Sequence, residues 1–382
     1  MQKMKIGLVC PYSIDRHGGV LEVVLNLRDG LVARGHDVKI ITPKPRGRAT
    51  HEPPEGVIFA GTSTDFRTLT FTESTAQVSS TADNEHIDAM LEAEKFDILH
   101  FHEPWQPLLS RQLLQRSTAV NIGTFHAKVS EALTSRAILR IVYPYLKSVM
   151  QYLHVLTAVS NAGAEYVSGM TDQPITLIPN GIDLVDYKFV AQAEPAAEPT
   201  VLFVGRLERR KGVRYLLQAF QVLQQEHPNV HLVIAGDGPE RERLELLAED
   251  LHLHNVSFLG FVSEELKHQL LKEADVFCSP ALFGESFGVV LLEAMATGTV
   301  AVAGNNPGYT DLMQGVGALS IVNPRDAEEF ARRLELLLTQ TDLRKLWQDW
   351  AKDYVKQYGY PRVIVQYEEL YREALKQHGR HA

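Results

Sequence analysis

Short apolar runs alternate with segments of helical period, and this alternation occurs twice along the chain. In the first half, apolar runs such as Lys5–Cys10 and Asp97–His102 are followed by amphipathic stretches such as Val20–Arg34. After the Pro- and Ala-rich stretch Ala191–Pro199 the alternation begins again. Strands that alternate with helices form a parallel sheet with helices on both of its faces. The sequence therefore predicts an α/β chain with two Rossmann-like domains in tandem.

The same pattern predicts the domain boundaries. We expect a first domain at residues 1–185, a second at 186–360, and a C-terminal helix at 361–382 that packs back on the first domain. Proline can open a new helix, which fits the interruption at Gly359-Tyr360-Pro361. The Thr- and Ser-rich stretch Gly61–Ala82 has weak periodicity and is predicted to be a mobile loop. Ala191–Pro199 is predicted to be a linker.

Composition narrows the classes of function. The chain has 382 residues and a formal net charge of −9, which argues against broad nucleic-acid binding because that needs a basic face. The two cysteines, Cys10 and Cys278, each end an apolar run and indicate reduced core thiols. No stretch of about 18 apolar residues occurs. We expect a cytoplasmic protein, at most peripheral at the inner face of the cell membrane.

A basic loop follows the first predicted strand of the second domain. Between Gly205 and Gly212 stand four cations: Arg206, Arg209, Arg210 and Lys211. In parallel α/β sheets ligands bind beyond the carboxyl ends of the strands, so these groups would lie at the mouth of a binding site. Guanidinium and ammonium groups can hold a diphosphate and stabilise the charge that develops as it leaves. The alternative is a solvated basic turn.

Two carboxylates flank a predicted helix start farther along the chain. Glu285 precedes the apolar helical run and Glu293 lies within it, with Ser286-Phe287-Gly288 between them. A helix start offers free N–H groups to an anion, and nearby carboxylates suit sugar hydroxyls. The combination indicates a nucleotide sugar. The spacing does not fix the distance between the acids, so a paired-acid hydrolase and a structural role both stay open.

Candidate ligand-binding residues in the first domain also follow predicted strands. The pair Gly18-Gly19 opens a helix and could admit a phosphate or simply form a tight turn. The GxGxxG fingerprint of dinucleotide sites is absent. His126 could hydrogen-bond a sugar or phosphate, or be a core histidine. His100 and His102 share one strand face while Glu103 lies on the other, which argues against a metal site.

The order of these motifs resembles the retaining glycosyltransferases of GT-B architecture and family 4, which carry a Glu-x7-Glu motif. The resemblance covers essentially the whole chain and rests on Gly18-Gly19, His126, Ile178–Asp183, Gly205–Gly212, Gly236–Pro239 and the Glu285/Glu293 pair. Cys10–Asp15, His102-Glu103-Pro104 and Gly284–Gly288 are similar to bacterial phosphatidylinositol α-mannosyltransferases.

The resemblance implies a GT-B fold with two Rossmann-like domains facing a central cleft and C-terminal helices. It implies a hexosyltransferase without cofactor or metal, with GDP-mannose favoured over a UDP-hexose as donor. The acceptor would be a hydroxyl of phosphatidylinositol or another glycolipid precursor. Alternatives are a transferase using a UDP-sugar and a soluble or polysaccharide acceptor, an NDP-sugar epimerase, and a non-catalytic nucleotide-binding module. The sequence does not indicate an oligomeric state.

The resemblance also implies the roles of individual residues. Catalytic roles would fall to His126, Arg206, Lys211 and Glu285, with Glu285 on the hexose hydroxyls. Acceptor-side positions match Tyr12 and Asp15. Donor-binding positions, which all follow strands or open helices, match Gly18, Gly19, Arg206, Arg210, Lys211, Val262, Lys267, Glu285, Ser286, Phe287, Gly288, Val289 and Glu293.

One departure from the mannosyltransferase pattern affects the predicted acceptor. Gly61–Asp88 contains Arg67 as its only Lys or Arg, which weakens attraction to anionic lipid. Lys128–Lys147 combines cations with apolar residues and could be an interfacial amphipathic helix. The alternative, which we favour, is an ordinary amphipathic helix packed on its own sheet.

Overall fold

Two sheets of mainly parallel strands form the centres of two separate units. The computed structural model describes residues 2–15, 18–45, 53–67, 75–79, 82–106, 108–126, 143–191 and 196–379. The first unit comprises Met1–Gly181 and Tyr360–Ala382, and the second comprises Ile182–Gly359. The predicted boundaries at residues 185 and 360 lie close to these divisions.

In the first unit the strands run in the order β4-β3-β2-β1-β5-β6-β7-β8, and each neighbouring pair is parallel except β3 and β4. The strands are β1 (Lys5–Val9), β2 (Asp37–Lys44), β3 (Val57–Arg67), β4 (Thr75–Ser79), β5 (Ile98–His102), β6 (Val120–Phe125), β7 (Val155–Ala158) and β8 (Ile175–Leu177). The helices between them are α1 (Gly19–Ala33), α2 (Asn84–Glu94), α3 (Leu109–Arg116), α4 (143–150 among the described residues) and α5 (Asn161–Ser168).

Strands β3 and β4 occupy much of the stretch that was predicted to be a loop. Gly61 to Arg67 continue β3, which pairs with β4 in antiparallel register from Ser63 opposite Ser79 to Arg67 opposite Thr75. The loop prediction is wrong for these residues, because Thr, Phe and Val favour strands even where hydrophobic periodicity is weak. Residues 68–74, 80 and 81 lie outside the described residues.

The C-terminal helix α13 (Tyr360–Gln377) belongs to the first unit and packs on α1. Its buried residues Val363, Ile364 and Tyr367 join the core formed by α1 and the neighbouring strands. A Cβ placed on Gly30 of α1 would lie 1.9 Å from Cδ1 of Ile364. A glycine at position 30 therefore allows the two helices to approach closely.

A buried carboxylate also holds α13 in place. Glu368 is 2% exposed and accepts hydrogen bonds from Nε of Arg34, from Nη2 of Arg372 at 2.6 Å and from Nε2 of His36 at 3.1 Å. Because Nδ1 of His36 accepts from the Met4 N–H at 3.1 Å, the ring proton lies on Nε2. Burial raises the pKa of Glu368, but its hydrogen bonds outweigh burial and lower the pKa to about 2.

In the second unit the six strands are parallel and run in the order β11-β10-β9-β12-β13-β14. They are β9 (Thr200–Val204), β10 (His231–Ala235), β11 (Val256–Gly260), β12 (Val276–Ser279), β13 (Val300–Gly304) and β14 (Ile321–Val322). The helices are α6 (Val213–Glu226), α7 (Arg241–Asp250), α8 (Glu264–Glu273), α9 (Val289–Thr297), α10 (Pro307–Leu312), α11 (Ala327–Thr339) and α12 (Thr341–Tyr354). None of the helices described in either unit is long and apolar enough to cross a membrane.

The predicted linker does not separate the two units. The chain passes between them at Gly181 and Ile182, and backbone groups in and just before the Pro- and Ala-rich stretch are hydrogen-bonded within the second unit. The Ala196 N–H donates to Oδ1 of Asp275 at 3.0 Å, and the Val190 N–H donates to the Thr297 carbonyl at 2.9 Å. Composition alone could not show these backbone bonds. Residues 192–195 lie outside the described residues.

We predict that Glu368→Gln destabilises the first unit by about 1.5–3 kcal/mol at pH 7, the range for hydrogen bonds to a charged group. The folded-state pKa of Glu368 is depressed, so its stabilising effect is full above the ordinary value of 4.5 and is lost as the pH falls toward about 2. Urea unfolding of both proteins across this range, followed by amide exchange in α13, measures the difference. If the difference in unfolding free energy between the two proteins stays constant from pH 7 to pH 2, the predicted role of the Glu368 charge is contradicted.

Candidate active site

The basic loop and the Glu285 segment meet where the strand order of the second unit reverses. Strands β9 and β12 are neighbours, and Gly205–Gly212 follows the first while Pro280–Gly288 follows the second. The Leu282 N–H donates to the Arg210 carbonyl at 2.8 Å. Gly212 has φ of +74°, and a Cβ there would lie 2.1 Å from the Pro280 carbonyl oxygen. Only glycine fits this close approach of the two loops.

Glu285 lies between two cations of the basic loop. Its Oε1 accepts from Nη1 of Arg210 at 2.6 Å and from Nζ of Lys211 at 2.7 Å. The Glu285 side chain is 13% exposed. Burial raises the pKa of Glu285, but Lys211 and Arg210 outweigh burial and lower it. The structure thus brings together the predicted sugar-holding anion and two predicted diphosphate-binding cations.

Sequence reasoning missed a second carboxylate in this cluster. Glu208 is 7% exposed; its Oε2 accepts from Nε of Arg210 at 2.8 Å, and its Oε1 lies 3.2 Å from Nε of Arg206. A signal was present in the sequence, since Glu208 is the one acid among four cations between Gly205 and Gly212. The Arg206 side chain is 55% exposed, so it extends from the cluster toward solvent.

The two glutamates of the Glu-x7-Glu motif lie in different structural contexts, as predicted. Helix α9 begins at Val289, so Glu285 is in the preceding loop and Glu293 is inside the helix. A Cβ on Gly288 would lie 2.8 Å from Cδ1 of Tyr309, and one on Gly308 would lie 2.2 Å from the Glu285 carbonyl oxygen. The start of α10 therefore supports this loop. Sequence reasoning missed that support, although Asn-Pro-Gly after a strand is a helix-start signal.

Glu293 is 4% exposed, and only one of its oxygens has a hydrogen-bond partner in the described part of the chain. Oε1 accepts from Nζ of Lys267 at 2.8 Å, whereas Oε2 is buried without a hydrogen-bond partner among the described residues. Lys267 also contacts Glu264 at 2.5 Å. Burial lowers the pKa of Lys267, but Glu293 and Glu264 outweigh burial and raise it. Val262, two residues before α8, is half-buried.

In the first unit two predicted residues, Tyr12 and His126, follow strands beside the corresponding reversal of strand order, near β1, β5 and β6. His126 follows β6, and its backbone N–H donates to Oε1 of Glu103 at 2.7 Å. Its ring Nε2 lies 2.9 Å from Nδ1 of His102. Nε2 of Gln106 donates to the Tyr12 hydroxyl at 3.4 Å. Sequence reasoning missed the His102–His126 pair, because only the order of the sheet places β5 beside β6.

Burial keeps the histidines of this cluster neutral. It lowers the pKa of His126 to about 4, against a smaller opposing contribution from Asn180, and lowers the pKa of His100 to about 3. The pKa of His102 is also lowered well below its usual value. His100 is a core histidine, since its ring nitrogens lie 2.7 Å from the Tyr371 hydroxyl and 2.6 Å from Oγ1 of Thr124.

The pair Gly18-Gly19, at the N-cap and first residue of α1, has no steric explanation among the described residues of the first unit. Gly18 has an extended backbone with φ of −175°, which any residue adopts. A Cβ on either Gly18 or Gly19 would meet no atom of the described residues within 4 Å. Asp15 is exposed nearby in sequence. The predicted amphipathic segment Lys128–Lys147 lies outside the described residues up to position 142.

Metal-ligating side chains with suitable mutual spacing occur elsewhere. Among the described residues, one such group consists of Glu226, His227 and Glu335, on or beside α6 and α11. Its three ligand atoms lie within 4.8 Å of one another. Glu226 ends α6, and this group contains none of the predicted catalytic residues. The prediction that catalysis requires no metal stays a prediction.

Comparison with known proteins identifies the family. Residues 17–186 match the family described as Glycosyltransferase Family 4, and residues 186–354 match Glycosyl transferases group 1. The chain is 33% identical over 373 residues to a phosphatidyl-myo-inositol mannosyltransferase of Mycolicibacterium smegmatis, covering 96% of this chain and 93% of that protein. The chain is a family 4 glycosyltransferase. The enzyme class and family predicted from the sequence are thereby confirmed.

Solved structures show that this glycosyltransferase has the GT-B fold. It superposes on sucrose-phosphate synthase from Thermosynechococcus elongatus with a TM-score of 0.78 at 22% identity, covering 98% of this chain and 100% of that one. It also superposes on Anabaena HepE in complex with UDP and glucose, with a TM-score of 0.74 at 18% identity and coverage of 96% and 99%. The predicted fold class is confirmed.

We predict that the His100, His102 and His126 rings of this glycosyltransferase stay neutral as the pH is lowered from 7 to 5.5. Their folded-state pKa values lie below the ordinary 6.5, so the unfolded chain binds more protons and stability falls as the pH drops below about 6.5. Histidine NMR titration of the native protein, with the urea-unfolded chain as control, measures this. A native His126 that titrates near 6.5 would contradict the buried arrangement.

Proposed function

We propose that this glycosyltransferase moves a hexose, with mannose favoured, from a nucleotide sugar to a hydroxyl of phosphatidylinositol or another glycolipid precursor, with retention at the anomeric carbon. The similarity to a phosphatidyl-myo-inositol mannosyltransferase over nearly the full length of both chains supports the choice of donor and acceptor. The main support for a donor-binding site in the second unit is the cluster of Arg210, Lys211 and Glu285 beside the start of α9.

The donor diphosphate would be held by the second unit. Arg206 and Lys211 would bind its oxygens, and the amides of Phe287, Gly288 and Val289 would receive phosphate at the start of α9. A helix start carries partial positive charge and unpaired N–H groups. Charge that develops on the departing diphosphate is thereby stabilised.

The two glutamates would bind different sugars of the donor. Glu285 would hold hydroxyls of the transferred hexose, and Ser286 follows it in the same loop. Glu293 would hold the ribose, because its buried Oε2 has no partner among the described residues and a ribose hydroxyl would satisfy it. Val262 and Lys267 would lie near the nucleoside.

The first unit would supply the groups around the transferred hexose and the acceptor. His126 would position the hexose near its anomeric carbon, with Glu103 and His102 fixing its backbone and ring. Gly19 would bring its backbone to the diphosphate or sugar, which fits the finding that no atom of the described residues lies within 4 Å of a Cβ built on Gly18 or Gly19. Tyr12 and Asp15 would lie on the acceptor side.

A second candidate uses a UDP-sugar and a soluble or polysaccharide acceptor. The similar HepE structure contains UDP and glucose, which supports a UDP-hexose donor. The scarcity of cations in Gly61–Asp88, where Arg67 stands alone, favours an acceptor other than an anionic lipid. The two candidates differ in nucleotide base and acceptor and share the same reaction.

Nucleotide release from a panel of donors distinguishes these candidates. The enzyme is incubated with GDP-mannose, UDP-glucose or UDP-N-acetylglucosamine, with phosphatidylinositol vesicles, with a soluble lipid-free extract, or without acceptor. We expect GDP release from GDP-mannose that depends on the phosphatidylinositol. UDP release with the lipid-free extract would favour the second candidate. No release with any donor and acceptor would contradict the proposed transfer.

We predict that Glu285→Ala and Lys211→Ala each lower the transfer rate by at least about a hundredfold, the effect of losing one charged contact in the transition state. Steady-state rates with the active donor measure this. Glu242→Ala and Lys345→Ala, which change exposed side chains of the same unit, are matched controls and should stay near the wild-type rate. Near-normal rates in the first pair would refute the assigned roles.

We predict that a chelator leaves the transfer rate unchanged. The reason is that Arg206, Lys211 and the start of α9 supply the positive charge that a divalent cation provides in other enzymes. Rates are compared before and after treatment with EDTA, and again after Mg²⁺ or Mn²⁺ is restored. Strict dependence on an added divalent metal would show that charge from these groups is insufficient.

A further inference from the structure

Glu208 occupies a central position in the basic loop, and the proposed reaction assigns it no role. Its two oxygens face two different cations: Oε2 accepts from Nε of Arg210 at 2.8 Å, and Oε1 lies 3.2 Å from Nε of Arg206. The carboxylate is almost fully buried, although its neighbours are predicted to bind an anion. A buried negative charge beside a diphosphate site opposes diphosphate binding, so its presence calls for a reason.

The contacts of Arg210 give a first reason for the presence of Glu208. Its Nε donates to Glu208, and its Nη1 donates to Glu285 at 2.6 Å and to the Gly284 carbonyl at 3.4 Å. A guanidinium group is planar, so hydrogen bonds at both Nε and Nη1 fix the orientation of the whole group. Burial lowers the pKa of Arg210, but Glu285 and Glu208 outweigh burial and raise it. Arg210 is thus a fixed cation between two anions, and it aligns Glu285.

The net charge of the cluster gives a second reason for the presence of Glu208. Three cations, Arg206, Arg210 and Lys211, face two carboxylates, Glu208 and Glu285, so the cluster carries a net charge of about +1. Without Glu208 it would carry about +2. A more positive site would bind a nucleoside diphosphate more tightly and would release it more slowly after transfer.

We propose that Glu208 is a positioning residue for the transfer reaction: it holds Arg210 against Glu285 and moderates the positive charge at the diphosphate site, so that the nucleoside diphosphate product can leave. This inference rests on the proposed function, because it assumes that the basic loop binds the diphosphate. Glu208 itself is not expected to contact the sugar.

The isosteric change Glu208→Gln separates this role from a structural one. Glutamine can still accept from Nε of Arg210 but carries no charge. We expect Glu208→Gln to lower the Kd for GDP or UDP about three- to tenfold, with a steeper dependence on salt, while kcat falls about tenfold or more. A merely structural role would raise Kd. Glu208→Asp keeps the charge and should leave Kd within about twofold of wild type.

The experiment measures GDP and UDP binding by calorimetry at two salt concentrations, with kcat, KM and melting temperature for the same proteins. Glu242→Gln, an exposed acid of the same unit, is the control and should change none of these values. A Kd that is unchanged or raised in Glu208→Gln overturns the inference, and so does failure of that variant to fold. Wild-type protein that binds neither nucleotide also overturns it. Nucleotide binding without hexose transfer would instead count against the proposed function alone.

Discussion

The ion cluster around Glu285 determines where the second unit places the charged side chains of its candidate site. A carboxylate that is mostly buried must be paired, and Glu285 is paired with both Arg210 and Lys211. That pairing draws the loop after β12 against the loop after β9, and the close backbone contact at Gly212 permits the approach, while Gly308 of α10 allows α10 to pack on the Glu285 backbone. The α9 start and the exposed Arg206 then flank a site rich in positive charge. The proposed binding of a diphosphate depends on this arrangement.

The two units contribute different electrostatics. In the second unit the pKa of Glu285 is lowered and the pKa values of Arg210 and Lys267 are raised, so these three groups are held in their charged forms. In the first unit the pKa values of His102 and His126 are lowered, so their rings are neutral and act through hydrogen bonds and shape. In the proposed reaction the charged groups would stabilise the leaving diphosphate, and the neutral histidines would orient the hexose. The first-unit cluster also reaches α13, through the bond between His100 and Tyr371.

Much of the fold could be predicted because buried parallel strands are continuous apolar runs and surface helices keep a period of 3.6. The same logic placed Glu285 before α9 and Glu293 inside it. The end of β3 was missed, because its strand residues are mainly polar and lack that pattern. Ion pairs such as Glu208–Arg210 and ring pairs such as His102–His126 could not be predicted, since they depend on sheet order and on side-chain direction.

We propose that the basic loop, Glu285 and the start of α9 together bind the nucleotide sugar. A crystal structure of the enzyme with GDP or UDP bound tests it most directly. We expect diphosphate oxygens within hydrogen-bond distance of Arg206, Lys211 and the Gly288 amide, with the ribose on Glu293. A nucleotide bound elsewhere, or Glu285 still closed on both cations with no diphosphate beside them, would contradict the claim.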